Sequence, residues 1–329
     1  MSNKQSFKKI GYTDIIAIIV GIIMIVSFAV GVSKISSTDL PFEQDISSEE
    51  PSDISVSEEP EQPSVPEQKP VENKYKYYNE LDLKNTFVSN STVANGVLSV
   101  ITKNNAVFPT VDENVLKSFY SYTNKHKMYG LSDINQYAFR EAAEYFDKFI
   151  ISFCTAVPDN NILIDKGYVS PDGTFKGSIV NNVDFDSQDI DLMSGYTIRL
   201  GRYPKGNEYS YLVDQSYKYG IVQRYPDNRE NYTGFGESES IYRYVGLEHS
   251  EYMNYYNYSL EEYIDKLRTE KVIEFDSDLF PGIAYVTCYF PVDVESTETI
   301  IKVPFEDSVN YTISGDGTRG FIVTITVNK

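Results

Sequence analysis

Tryptophan is absent from this chain of 329 residues, and histidine and cysteine occur only twice each. With no Cys-x-x-Cys pair, thiolate metal sites and thioredoxin-type redox chemistry are excluded. Cys154 and Cys288 stand far apart in sequence. Two buried free thiols are expected, with one disulfide as the alternative if the folded part lies outside the cell. Positive charge is also scarce: 29 Lys and Arg stand against 48 Asp and Glu, a net charge of −19. That excludes a nucleic-acid partner, which needs clustered Lys and Arg, and argues against general adhesion to anionic lipid. No phosphate loop, dinucleotide glycine motif or nucleophilic Ser or Cys with its base is present, and no internal repeat is visible.

The acidity that is there is uneven. Between Ser37 and Asn73 eleven acidic residues accompany one base, Lys69, so more than half of the excess sits in that stretch. Rich in Ser, Glu and Pro, the segment 33–73 cannot bury enough surface to offset its ordering entropy and reads as a disordered, self-repelling linker. Before it, Ile15 to Val32 is a continuous apolar run of eighteen residues, at the lower limit for a transmembrane helix. Lys4, Lys8 and Lys9 precede it, which places residues 1–14 in the cytoplasm and everything after the run outside. A cleaved signal peptide is the rival reading, with Ala29-Val30-Gly31 as the cleavage site.

Folded sequence begins near Lys74. Strands are expected at Val97–Thr102, Ile162–Ile164, Thr197–Leu200, Ile221–Tyr225 and Ile241–Val245, and helices at Asp112–Tyr122, Ser210–Tyr219 and Leu260–Arg268. The strongest helix signal opens at Ser132-Asp133, where Phe139, Ala142, Phe146, Phe149 or Ile150, and Phe153 recur every three or four residues. After Pro281 the chain turns to short β-rich runs, read as a small β appendage over 271–329. Helices and strands mix without strict alternation, which makes the fold class α+β.

The frame Tyr219-Gly220, Arg224-Tyr225-Pro226, Thr233-Gly234 and Arg243-Tyr244-Val245-Gly246, followed by Glu248-His249 and Ser259 to Tyr263, resembles the zinc D-Ala-D-Ala carboxypeptidases of the vancomycin-resistance type. Upstream, Tyr129 to Ser132, Gly167 to Ser170 and Asp191 to Leu200 continue the likeness, so that 74–270 resembles that domain. The resemblance implies a peptidase trimming peptidoglycan stem peptides, with two His and one Asp on Zn²⁺ and a Glu as general base. Carried over, the ligand positions hold Leu192, Arg199 and Ile241, and the general-base position holds Ser238. The substrate-binding Arg becomes Val169 and a site Ser becomes Ile190. A degenerate member without zinc is therefore expected, its cleft lined by Tyr168, Val169, Ile190, Leu192, Arg199, Ser238, Ile241 and Arg243. The implied partner is a stem peptide or an envelope protein at the cell surface; the alternative is an active, zinc-loaded D-Ala-D-Ala carboxypeptidase.

Other chemistry-bearing groups carry plainer readings. Asp184, Asp186, Asp189 and Asp191 read as a solvated acidic loop, with a calcium site or a displaced metal ligand as alternatives. Glu237 and Glu239 flank Ser238, so a displaced general base stays open. His126 and His249 are expected in solvated or capping roles. The tyrosine tract Tyr252–Tyr263 suits helix packing, and equally sugar or peptide contact.

Overall fold

The structure, a computed structural model, describes residues 75–102, 107–172, 174–175, 178–179, 187–202 and 207–329. The apolar run Ile15–Val32 and the acidic linker 33–73 lie outside these residues. Among the described residues no helix is long and apolar enough to cross a membrane.

Strand β1 (Leu83–Ser89) opens the described chain, and 93–102 follows as an irregular stretch. Next come β2 (Leu116–Ser118), α1 (Tyr120–His126), β3 (Gly130–Leu131), β4 (Tyr137–Phe139), α2 (Arg140–Ala156) and β5 (Leu163–Lys166). The short strands β6 (Thr174–Phe175) and β7 (Ser178–Ile179) pair with each other. A 3-10 turn, Gln188–Ser194, leads into β8 (Thr197–Gly201), α3 (Asn207–Ser216) and β9 (Ile221–Tyr225). Then follow α4 (Glu230–Thr233), β10 (Ser238–Tyr244), α5 (Leu247–Tyr256) and α6 (Leu260–Glu270). Five strands close the chain: β11 (Val272–Asp276), β12 (Ile283–Pro291), β13 (Glu298–Pro304), β14 (Tyr311–Gly315) and β15 (Gly320–Asn328).

Two sheets organise these elements. The first runs β3-β5-β8-β10-β9, antiparallel except between β3 and β5. The apolar stripe of α2 (Ala142, Phe146, Phe149, Ile150 and Phe153) packs with Ile164, Ile198, Leu200, Tyr242 and Tyr244 of this sheet. Burial of such a stripe is what makes the helix stable, since propensity alone leaves helices of this length marginal in water. The second sheet runs β11-β12-β15-β14. Alternation along β12 and β15 divides its two faces. Tyr289 and Ile322 join α5 and α6 in one core, while Ala284, Val286, Cys288, Phe321, Val323 and Ile325 join Ile301 and Val303 of β13 in another. β13 in turn pairs along its whole length with β1.

Several expected elements differ. The apolar run Val97–Thr102, buried from Leu98 to Ile101, forms no strand, because its N–H groups bond to isolated partners: Val100 N–H to Asp316 O just past β14, and Leu98 N–H to Ser314 Oγ on β14. Asp112 caps only one 3-10 turn, after which β2 pairs with β4 and the helix resumes at Tyr120. The long helix begins at Arg140 rather than near Ser132, because Tyr137–Phe139 is taken into the β2 ladder and Asp133 is spent on the Asn135 N–H. The C-terminal strands do not stand apart: with β1, α5 and α6 they share cores, and every described residue falls in one compact unit, Gln68–Lys329. Cys154 and Cys288 are buried free thiols in different cores. Burial pushes both thiols up, Cys288 to about 12.

Candidate functional site

Register builds the site. β8 and β10 pair so that Arg199 lies opposite Ile241, and Thr197 opposite Arg243. Residues directly opposite share a face of the sheet, here the face away from α2. On the other side of β8 the ladder to β5 slips by one residue between Ile164 and Lys166, which brings Lys166 opposite Arg199. Lys166, Arg199 and Ile241 therefore form a row across three strands.

The 3-10 turn Gln188–Ser194 covers this row. The Tyr225 hydroxyl donates to Gln188 O at 3.1 Å, and Gln188 Nε2 donates to Gly236 O at 2.6 Å, tying the turn to the neighbouring strand and loop. Two carboxylates on the turn then meet the sheet at two levels. Asp189 pairs with Arg199 Nη2 and with Lys166 Nζ, the latter at 2.7 Å. Asp191 is fully buried and accepts from Arg243 Nη1 at 2.9 and 3.0 Å and from the Thr197 hydroxyl, while Arg224 Nε lies 3.0 Å away. Arg224 also makes a two-pronged bond to Glu261 at 2.7 and 3.1 Å. Arg243 completes its coordination on the carbonyls of Val97 and Ser99. Burial alone would raise the Asp191 carboxyl, but Arg224 and Arg243 outweigh it and hold the group below its ordinary range.

The expected cleft residues are thus distributed. Arg199 and Ile241 are brought together as direct partners. Ser238 starts the same strand, is buried, and sits opposite Tyr225 beyond an irregularity in the ladder. Leu192 is fully buried on the covering turn, and Ile190 packs with Ile101 and Met193. Tyr168 is buried with Leu116, its N–H bonded to Tyr137 O, and Val169 follows it half-buried. Arg243 does not line an open cleft: it is 0% exposed and its charge is consumed by Asp191.

Two further expectations are corrected. The acidic run is no solvated loop at Asp189 and Asp191, which are ion-pair partners; Asp184 and Asp186 lie outside the described residues. His249 is not solvated but 1% exposed, its Nδ1 2.8 Å from the Tyr263 hydroxyl, and burial lowers it to about 3. His126 braces the end of α1, with Nδ1 accepting from Met128 N–H and Nε2 2.9 Å from Asp147. Glu237 and Glu239 are exposed. In the tyrosine tract, Tyr252 and Tyr263 are core residues, whereas Tyr255 and Tyr256 are exposed. Among the described residues no three His, Cys, Asp or Glu side chains gather closely enough to hold a metal ion. Sequence reasoning missed Lys166 and the pair Arg224–Glu261, whose only signal was unmatched charge inside apolar segments.

No protein-family model matches the chain. A D-alanyl-D-alanine carboxypeptidase of Enterococcus faecium is 28% identical over 247 residues, which is 67% of this chain and 73% of that protein. A D-alanyl-D-alanine carboxypeptidase of Enterococcus faecalis (strain ATCC 700802 / V583) is 39% identical over 72 residues, 22% of this chain and 26% of the relative. Among solved structures, the vancomycin-resistance D,D-dipeptidase VanXYg in complex with a D-Ala-D-Ala phosphinate analogue superposes with a TM-score of 0.56 at 22% identity, covering 75% of this chain and 100% of its own. The chain is homologous to the D-alanyl-D-alanine carboxypeptidases and has their mixed helix-and-sheet fold.

Proposed function

We propose that this chain is a carboxypeptidase-like module that binds a peptidoglycan stem peptide, or an envelope protein presenting one, without cutting it. In this reading Ile15–Val32 anchors it in the membrane, and the linker 33–73 holds the domain on the outer side. One observation carries the loss of catalysis: Arg199 faces Ile241 across β8 and β10, with Asp189 as its counter-ion. Zinc requires about three nitrogen, sulfur or oxygen donors at roughly 2.0–2.3 Å. Leu192 and Ile241 offer none, and Arg199 keeps a positive charge where a dication would have to sit. The carboxylates beside them are already matched by cations. The residues present do not fit a zinc ion. The homology over 247 residues supports the alternative, an active carboxypeptidase.

Metal analysis and a D-Ala release assay on the purified chain decide between them. The expected result is no stoichiometric zinc, no release of D-Ala, and measurable binding of D-Ala-D-Ala. One zinc per chain surviving dialysis, with chelator-sensitive release, would establish the active enzyme instead.

A further inference from the structure

We propose that the outer face of the β1–β13 ribbon is an interface through which two copies of this chain pair about a two-fold axis.

Strand alternation gives the ribbon two faces. Val88, Ile301 and Val303 turn toward the second sheet and belong to its core. The other face carries three cross-strand pairs in register: Ser89 with Glu298, Phe87 with Ile300, and Asn85 with Lys302. All six residues are exposed. At the centre, Phe87 is 64% and Ile300 53% exposed. A lone exposed apolar residue is ordinary, but these two are direct partners in the ladder and form one apolar patch.

The charges around the patch say what covers it. Glu298 and Lys302 stand two residues to either side of Ile300 on the same face, about 13 Å apart, too far to pair with each other. Across the ladder each meets an uncharged residue, Ser89 or Asn85. A second copy laid face to face, its β13 antiparallel to the first, supplies the missing counter-charges. A two-fold axis crossing the strands at Phe87 and Ile300 sets the two apolar centres on each other. The same rotation puts Glu298 over the partner's Lys302, and Lys302 over the partner's Glu298. Rotation about the strand direction would instead leave both charges over neutral residues. The contact is isologous, so it closes at two copies. Seven residues per strand make the face about 23 Å long and two strands wide, well under the roughly 800 Å² per partner of a stable interface. The pair is therefore weak and reversible.

Sedimentation velocity of the full chain in detergent, from about 10 to 500 μM, spans the range of weak interfaces and should show a reversible monomer–dimer equilibrium. Phe87→Asn should weaken it by about tenfold or more, since the apolar centre is lost. Glu298→Lys and Lys302→Glu, each alone, should weaken it by about threefold or more, because like charges then face each other. Mixed one to one, these two variants should pair with each other as tightly as the parent does with itself, which misfolded chains would not do. A parent that stays monomeric throughout, or a dimer untouched by Phe87→Asn, overturns the interface. A mixture that pairs no better than either variant alone overturns the two-fold arrangement, and with it the assignment of a second copy to this face.

Discussion

Asp189 and Asp191 sit two residues apart on one short turn, yet their energetic roles differ. Asp191 is fully buried between Arg224 and Arg243, and neither arginine side chain reaches solvent. Taking such ions out of water is costly, and the cost is offset only while all of them stay paired. Asp191→Asn should therefore lower stability by about 3–5 kcal/mol, because it strands two buried guanidinium groups. Asp189 is 19% exposed, and its partners Lys166 and Arg199 are 46% and 27% exposed, so all three stay in contact with water. Asp189→Asn should cost no more than about 1 kcal/mol. Urea unfolding of the two variants checks the contrast, and equal losses would contradict it. Nothing in the sequence separates these two aspartates. What does so is arrival of Arg224 and Arg243 from strands read correctly as strands, but whose inward side chains no periodicity names.

Helix α5 shows why periodicity alone names no helix there and what that segment does instead. Its residues His249 to Met253 are buried without a break, so it has no amphipathic stripe to detect. α2, with a stripe on one side, was legible except for its start. β1 was missed because its partner β13 lies some two hundred residues away, and ladder partners leave no local signal. At the start of α5, Glu248 Oε1 lies 3.6 Å from His249 Nε2, the geometry of an ion pair. Burial nevertheless drives both groups toward neutrality. It raises Glu248 from 4.5 to about 7, with Glu141 adding to the effect, and lowers His249 from 6.5 to about 3. The signs are opposite. Glu248 stabilises the fold fully below pH 4.5, and that contribution is lost as pH rises through about 7. His249 contributes fully above pH 6.5 and loses that as pH falls toward 3. Between pH 4.5 and 6.5 the two slopes cancel, each about 1.4 kcal/mol per pH unit. Glu248→Gln removes one of them. Its stability relative to the parent should rise by about 1.4 kcal/mol per unit from pH 4.5 to 7, read from urea unfolding at several pH values. A difference independent of pH would return Glu248 to the ordinary carboxylate range.

At the scale of the whole molecule, the C-terminal strands hold the candidate site together through a chain of contacts. The turn Ser314–Gly317 packs so tightly on the stretch 93–100 that a side chain at Gly315 would run into Val93 O, and one at Gly317, where φ is +96°, into Val100 O. Asp316 fixes this turn. It is fully buried and accepts from the backbone N–H groups of Thr318, Arg319 and Gly320, from Arg268 of α6 and from the Tyr289 hydroxyl. The stretch it braces offers the carbonyls of Val97 and Ser99 to Arg243, and Arg243 holds Asp191 on the covering turn. Arrangement of Arg199 and Asp189 above the sheet thus depends on residues more than a hundred positions later. The sequence reading placed a boundary at 270 because composition changes there, but composition does not report which layers share a core. A chain ending at Glu270 would expose Tyr263, Ile264 and Leu267, which pack with Ile273, Tyr289 and Ile322, each such side chain worth about 1.5–3 kcal/mol when buried. For three side chains those losses come to about 4.5–9 kcal/mol, already comparable with the 5–15 kcal/mol by which domains are usually stable, and β1 loses its partner β13 as well. The truncated chain should show no cooperative thermal transition and should be digested rapidly by protease, whereas the same chain carried to Lys329 resists. A cooperative transition in the truncated form would show that α5, α6 and the first sheet are sufficient alone, and that Arg243 and Asp191 need no support from the strands that follow.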